Sequence, residues 1–478
     1  MSSSVSRTAF APPPTDHRSL LFVLSCTTSF FTLALTVVAA QLPLFDSSPK
    51  VLLRPWTEPT SFAGSLRRTL AAAALRWDTF HFAHIAQEGY VYEHEWAFFP
   101  VAPSLMRSLG GLLRSWTPRL GSSDLELEDI LLGGMLGSML SVHSVLTLYD
   151  LTLELLGSPN VALLGSLLSL LPSSPVTLRL AGYSEAIFTW CSYSGMLYCA
   201  RRQWLFGAFC FTVAATARSN GIFLCGFLLY GLVVEPVLDH RKVRPSPAFP
   251  PQAFKLNFTV GPQLYVGRTL LAFALSAMIL SPFLYLQYGA YRVFCLGDSK
   301  QAPWCDAFPP SIYAYVQSQY WNGGVLRYWT PQQLPNFLLG APPLALLFAY
   351  SLHYLRGTFI PRLQALVSSP SSNPRSSLDK SQESDDDAGA PPSASTPSPF
   401  LHPSLAPHAV HALIMALLLL FASHTQIVLR VAASMPCIYW AAAWLLVEQP
   451  ALGRWWVGWS VVWGAVSCML WAAFLPPA

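Results

Sequence analysis

Arg76-Trp-Asp-Thr-Phe-His-Phe-Ala-His-Ile-Ala-Gln-Glu-Gly-Tyr90, running on through Glu93 and Glu95 to Ala97-Phe-Phe-Pro100, lies between two strongly apolar stretches of the chain. A mere connector there would be short and polar. This one gathers carboxylates, histidines and aromatic rings, the side chains of a reaction site. The apolar stretches on either side of it are the first of a series that decides the fold.

Hydrophobic residues make up 53% of the 478 positions and charged residues only 11%, against about 25% charged in a soluble domain. Mean hydropathy is +0.41. Crossing roughly 30 Å of hydrocarbon takes about 20 apolar residues. Runs of that kind lie near 19–41, 129–150, 161–178, 186–200, 203–217, 221–238, 269–292, 336–356, 408–423, 435–449 and 455–475. The expected fold is therefore an all-α polytopic membrane protein of roughly eleven transmembrane helices, with lumenal re-entrant or interfacial helices between them. Sixteen Trp and eighteen Tyr suit a chain with many interfacial girdles. The first run is too long for a signal peptide and reads as a retained anchor. A net charge of +4, scattered along the chain, gives no footprint for nucleic acid.

Arg7 and Arg18, Arg201-Arg202, Arg241-Lys242 with Arg244, and Arg356 with Arg362 mark the loops expected on the cytosolic side. Segments 42–128, 179–185, 218–221, 293–335 and 424–434 then face the opposite compartment. Arg67, Arg68 and Arg76 run against this assignment, but long loops obey the charge rule poorly. Four regions follow: a cytosolic tail (1–18), a membrane-embedded core (19–365) with the large lumenal loop 42–128, a linker (366–407) and C-terminal transmembrane helices (408–478). The linker is rich in Ser, Pro, Asp and Ala and is expected to be disordered. A sequon, Asn257-Phe-Thr259, falls in an expected cytosolic loop and should be unmodified there.

Seven of the nine cysteines are isolated, most of them within apolar runs, and read as small core residues. Cys295 and Cys305 share one lumenal loop and are expected to form a disulfide. Neither a zinc-type Cys/His spacing nor a Walker or Rossmann glycine pattern stands out, so no metal and no bound cofactor is expected.

Asp78 follows Trp77 after the Ala-rich segment 66–76, which could lie as an amphipathic helix on the membrane surface. If a helix continues there, His81 and Phe82 share a face with Asp78. Asp78 is then either a helix cap within an aromatic belt or a reactive carboxylate. His84 reads as a packed interfacial residue, and Glu88, Glu93 and Glu95 each read as solvated charges when taken singly. Arg218 and Asn220 sit in a hinge between two spans, where an unpaired charge would cost about 2.5–3.5 kcal/mol at membrane depth. Arg218 needs a partner, either a carboxylate from another loop or an anion such as a lipid phosphate. Arg430, with Gln426 one turn earlier, poses the same question, and Tyr183 and Glu185 close a short loop on the same side.

These residues fall into ordered blocks. Trp77-Asp78 with His81-Phe82, Gly89-Tyr90, Glu93 and Ala97-Phe-Phe-Pro100 is followed by Ala181-Gly-Tyr-Ser-Glu-Ala186 and Ala217-Arg-Ser-Asn-Gly221. Then come Tyr320-Trp-Asn322 with Leu326-Arg-Tyr-Trp329, Gln333 with Pro335-Asn-Phe-Leu338, and His424-Thr-Gln426 with Arg430 and Pro436. In composition and order the blocks resemble the GPI mannosyltransferase 2 family. The resemblance spans the chain except the first 18 residues, 243–262 and the acidic linker, where the family usually has a shorter connection.

The resemblance implies a GT-C-type enzyme of the endoplasmic-reticulum membrane with a lumenal active site. Its donor would be dolichyl phosphate mannose and its acceptor the one-mannose GPI precursor glycolipid, joined by an α-1,6 bond. Besides these two substrates the implied partners are the surrounding membrane lipids, with a small accessory membrane subunit left open. Transfer from a β-linked donor to an α-linked product is an inversion, needing one base and something to stabilise the leaving phosphate. Asp78, partly desolvated by Trp77 and Phe82, is the candidate base, and His81 would orient it. Arg218 and Arg430 are the candidates for phosphate. Trp77, Glu93, Glu185, Asn220, Asn322, Arg327 and Gln426 complete the substrate-binding candidates. The competing readings are another dolichol-phosphate-sugar-dependent glycosyltransferase with a different acceptor, a polytopic transporter and a non-catalytic scaffold. A transporter should show internal repeats and midplane charges, whereas here the charges sit at span ends.

Overall fold

The computed structural model describes residues 15–46, 48–53, 61–116, 125–239, 262–296, 302–367 and 398–475. Most of the linker, the sequon at Asn257 and most of the N-terminal tail lie outside the described residues. Among the described residues the chain is helical, with no strand. Its main elements are α1 (Thr15–Ala39), α2 (Phe62–Ala74), α3 (Thr79–Glu88), α4 (Val101–Trp116), α5 (Leu127–Gly137), α6 (Leu140–Leu156), α7 (Pro159–Leu168), α8 (Glu185–Ala200) and α9 (Trp204–Ala215). They continue with α10 (Pro262–Phe294), α11 (Ile312–Gln319), α12 (Leu334–Tyr354), α13 (Ala406–Phe421), α14 (Pro436–Glu448) and α15 (Pro450–Ala472).

Seven described helical stretches are long and apolar enough to cross a membrane. An eighth is a pair, Thr425–Ser434 and Pro436–Glu448, bent by 87°. The sequence count of about eleven also includes segments that are shorter here. The run 161–178 breaks into α7 and a short helix, Pro175–Arg179, each opened by its own proline, because proline fits the first turn of a helix and not its interior. α8 and α9 have 16 and 12 residues. Segment 424–434, expected as a loop, is helical up to Met435, whose extended backbone precedes Pro436 and turns the chain.

Large apolar side chains stay exposed along the spans, Phe30, Phe31 and Phe273 among them, as lipid-facing positions require. Inside, contact depends on small residues. A Cβ on Gly133 would lie 2.3 Å from the Gly110 backbone nitrogen, so α4 and α5 touch through their main chains. α2 docks on α5 by charge: Arg67 donates to Glu128 at 2.8 Å and to Asp129 at 2.5 Å. Arg76 is buried, with its guanidinium on the carbonyls of Ala72, Leu75 and Ala472, so it caps the C-terminal ends of both α2 and α15. These arginines are paired or capping groups, which is why their presence in the large loop does not set its side.

The five segments expected to share one side are joined by side-chain contacts, described below. At the other end Arg18 pairs with Asp150, Arg201 with Glu154 at 3.0 Å and Arg202 with Glu235 at 3.5 Å. At that end the cations meet carboxylates carried on helices, while the other end is built from the large loops.

Candidate active site

The chain leaves α2 through Arg76 and re-enters a helix at Thr79. Between them Trp77 adopts φ +51°, a left-handed backbone that is rare for a bulky residue and tends to cluster at functional sites. Its ring packs 5.0 Å from Phe474 just beyond α15. Asp78 precedes α3, yet its side chain makes no cap hydrogen bond. It turns instead to Arg430, whose Nη1 donates to Asp78 Oδ2 at 2.8 Å. The Asp78 backbone N–H donates to the Tyr183 hydroxyl at 2.9 Å, and the Tyr183 ring lies 4.7 Å beneath the Arg430 guanidinium. The sequence predicts an Asp78 partly desolvated by Trp77 and Phe82. Its side chain is 34% exposed and its nearest charged neighbour is a guanidinium.

Arg430 also donates through Nε to Glu185 Oε1 at 2.7 Å. The same oxygen lies 2.6 Å from Arg218 Nη1 in a charge contact whose angle is not that of a hydrogen bond. Glu185 is buried, at 3% side-chain exposure, and its other oxygen has no hydrogen-bond partner among the described residues. The carboxylate alternative for Arg218 is thus the one seen. Two arginines and two carboxylates from four distant parts of the chain form one continuous set, Asp78–Arg430–Glu185–Arg218, open at the Asp78 end. The hinge that carries Arg218 is tight, because a Cβ on Gly221 would sit 2.6 Å from the Ala215 Cα. Asn220 is half-buried beside it, and neighbouring Ser219 is hydrogen-bonded to the Tyr313 hydroxyl at 2.6 Å.

His81, one turn into α3, is stacked 4.7 Å from Phe98 and lies edge-on to His94 at 5.1 Å. No hydrogen bond joins it to Asp78 among the described residues. Burial lowers its affinity for a proton below the ordinary imidazole value, with Asp78 pulling the other way. Glu93 accepts hydrogen bonds from the Trp304 indole and the Tyr320 hydroxyl, both at 3.2 Å. Glu95 corrects the solvated reading. It is buried, bonded to His84 Nδ1 at 2.5 Å, and accepts the backbone N–H groups of Val91 and Tyr92. Cys295 and Cys305 are bonded with Cα atoms 5.6 Å apart, placing Trp304 against Glu93.

A third group contains Gln426. Its Oε1 accepts from the Tyr328 hydroxyl at 2.7 Å, Asn336 donates to the same hydroxyl at 2.8 Å, and His424 stacks on the Tyr328 ring at 4.5 Å. Asn322 and Arg327 are exposed on the adjoining turn. His424 Nε2 contacts the Trp321 carbonyl at 2.5 Å, and the Trp321 ring meets Phe98 at 5.6 Å. Through Phe98, Phe82 and Tyr183 the aromatic chain returns to Asp78. Asp78, Glu185, Arg218 and Arg430 therefore form one unit, Glu93 a second and Gln426 a third. Sequence reading assigned no role to Tyr183, Tyr328 or Trp321. Tyr183 could have been suspected from its place two residues before Glu185. Among the described residues no group of three or more His, Cys, Asp or Glu side chains is arranged to hold a metal ion.

Residues 18–478 match the mannosyltransferase (PIG-V) family. The chain is 34% identical over 488 residues to GPI mannosyltransferase 2 of Cryptococcus neoformans var. neoformans serotype D, covering 96% of this chain and 98% of that one. It is 32% identical to GPI alpha-1,6-mannosyltransferase 2 of Rattus norvegicus, covering 92% and 86%. It is 29% identical to the Homo sapiens protein of that name, over the same shares. A solved structure of the Archaeoglobus fulgidus oligosaccharyltransferase AglB aligns with a TM-score of 0.39 at 13% identity, covering 93% of this chain and 55% of that one, too weakly to bear on the fold or the site. On its ordered blocks and this match over nearly its whole length, the chain belongs to the mannosyltransferase (PIG-V) family.

Proposed function

We propose that this membrane enzyme transfers the second mannose of the GPI anchor, in α-1,6 linkage, from dolichyl phosphate mannose to the one-mannose GPI precursor at the lumenal face of the endoplasmic reticulum. The names of the relatives support the GPI acceptor and the linkage. The observation that carries the mechanism is the Asp78–Arg430–Glu185–Arg218 set.

Its charges suit an inverting displacement. Asp78, at the open end, takes the proton of the acceptor's 6-hydroxyl as that oxygen bonds to the anomeric carbon and the bond from that carbon to the phosphate oxygen breaks. The leaving dolichyl phosphate gains one negative charge, while Asp78 loses one on protonation. Arg430 touches Asp78 directly, so its guanidinium is released from a carboxylate partner as a second anion develops beside it. Glu185 holds both guanidinium groups in place through the change, which fixes positive charge where negative charge appears. The scheme calls for no metal.

The test is complementation of cells lacking the activity, with protein amount checked by blot. Asp78→Asn is expected to accumulate normally and to abolish transfer, so that the one-mannose precursor builds up, because the amide keeps the shape and loses the basicity. Near-normal transfer by Asp78→Asn would overturn the base assignment.

A further inference from the structure

Glu93 stands apart from the ion-paired set. Its carboxylate accepts two neutral donors, the Trp304 indole N–H and the Tyr320 hydroxyl, and among the described residues no Arg, Lys or His forms an ion pair with it. An ionised carboxylate has about four acceptor sites, so capacity remains. Around it stands a row of rings. Tyr92 and His94 are parallel within 7° at 5.7 Å, and His94 lies 5.7 Å from Tyr320. Tyr92 and Tyr320 are 54% and 50% exposed. Tyr92 also stacks on His84 at 5.6 Å. A carboxylate without a cationic partner among the described residues, beside exposed aromatic rings, is the chemistry of a site for an organic cation, since aromatic rings attract ammonium groups.

The row also lies at a telling distance from Asp78. His81 is one helical turn further on than Asp78 and its ring is 5.1 Å from His94, so the row begins two side-chain steps from the candidate base, within the reach of a neighbouring sugar. The proposed acceptor presents its mannose 6-hydroxyl to Asp78, and in the mannosyl-glucosaminyl lipid that the family resemblance implies the next sugar inward is a glucosamine, which carries an amine. We propose that Glu93, with the rings of Tyr92, His94 and Tyr320, is the subsite for that amino sugar, the carboxylate receiving its ammonium group. The inference rests on the acceptor reading given above and assigns the acceptor glycan to the first large loop, leaving the arginines to the donor phosphate.

The full-length enzyme, solubilised in detergent and supplied with dolichyl phosphate mannose, is assayed with two synthetic acceptors. One is a mannosyl-glucosaminyl glycolipid with a free amine, and the other is the same lipid with that amine acetylated. The wild type is expected to show a KM about tenfold lower for the free amine, the size of one cation contact. Glu93→Gln should raise the free-amine KM to the acetylated value, with the change falling on acceptor KM more than on kcat. Tyr92→Ala leaves both hydrogen bonds of Glu93 in place and should raise the free-amine KM in the same direction, which keeps the test usable if Glu93→Gln fails to accumulate. Persistence of the full preference in these variants would overturn the subsite alone. Failure of the wild type to use either acceptor would overturn the acceptor reading and the subsite with it.

Discussion

Glu185 is the residue on which the set of four turns. A buried carboxylate between two guanidinium groups stabilises both, and removing one partner of a buried pair leaves uncompensated charge at a cost of about 3–5 kcal/mol. Glu185→Gln is therefore expected to lower the stability of the solubilised protein by about that amount, read by thermal or denaturant unfolding. The double variant Glu185→Gln/Arg218→Gln should recover part of the loss, because Arg430 then keeps Asp78 as its counter-charge. Strict additivity of the two single changes would show that they do not share a partner. Arg218 and Arg430 were legible as important because an arginine at the end of an apolar span demands a partner. That one glutamate satisfies both was not legible, because Glu185 and Arg430 are separated by 245 positions and periodicity says nothing about such a distance. Asp78 left a cap and a base equally open, and only the direction of its side chain decided against the cap.

Among the elements, the short hinge after α9 and the first half of the bent pair, Thr425–Ser434, deliver the two arginines. Gly221 has the Ala215 backbone where a side chain would begin. Gly221→Ala is expected to destabilise by about 1–3 kcal/mol through overpacking, and to reduce transfer because Arg218 moves with the hinge. Normal transfer at normal protein level would show that the hinge tolerates displacement. The bent pair is where sequence reading lost the element. Residues 425–434 are too few and too mixed to read as a span, and their helical form depends on packing against α12 and α8. The spans at 19–41 and 455–475 read clearly because each is a long uninterrupted apolar run, whereas 161–178 carried its own break at Ser173-Ser-Pro175.

For the whole molecule, side-chain contacts join described parts of segments 42–128, 179–185, 218–221, 293–335 and 424–434, the five that are expected to face one compartment. A glycosylation tag near Gly121 is expected to be modified, while Asn257 and a tag at Ser384 are not. Mobility shifts reversed by glycosidase report each case, and modification at Ser384 without modification near Gly121 would invert the orientation. The long separations within the site also carry a consequence for the making of the protein. Arg430 follows Asp78 by 352 positions, so a ribosome working at about 5–20 residues per second adds it roughly 20–70 seconds later. For that interval a chain already threaded through the membrane holds Asp78 without Arg430, and for the later part of it Glu185, 245 positions before Arg430, lacks the same cation. On the proposed mechanism a chain released before Arg430 is added cannot transfer mannose, so activity begins only near the close of translation.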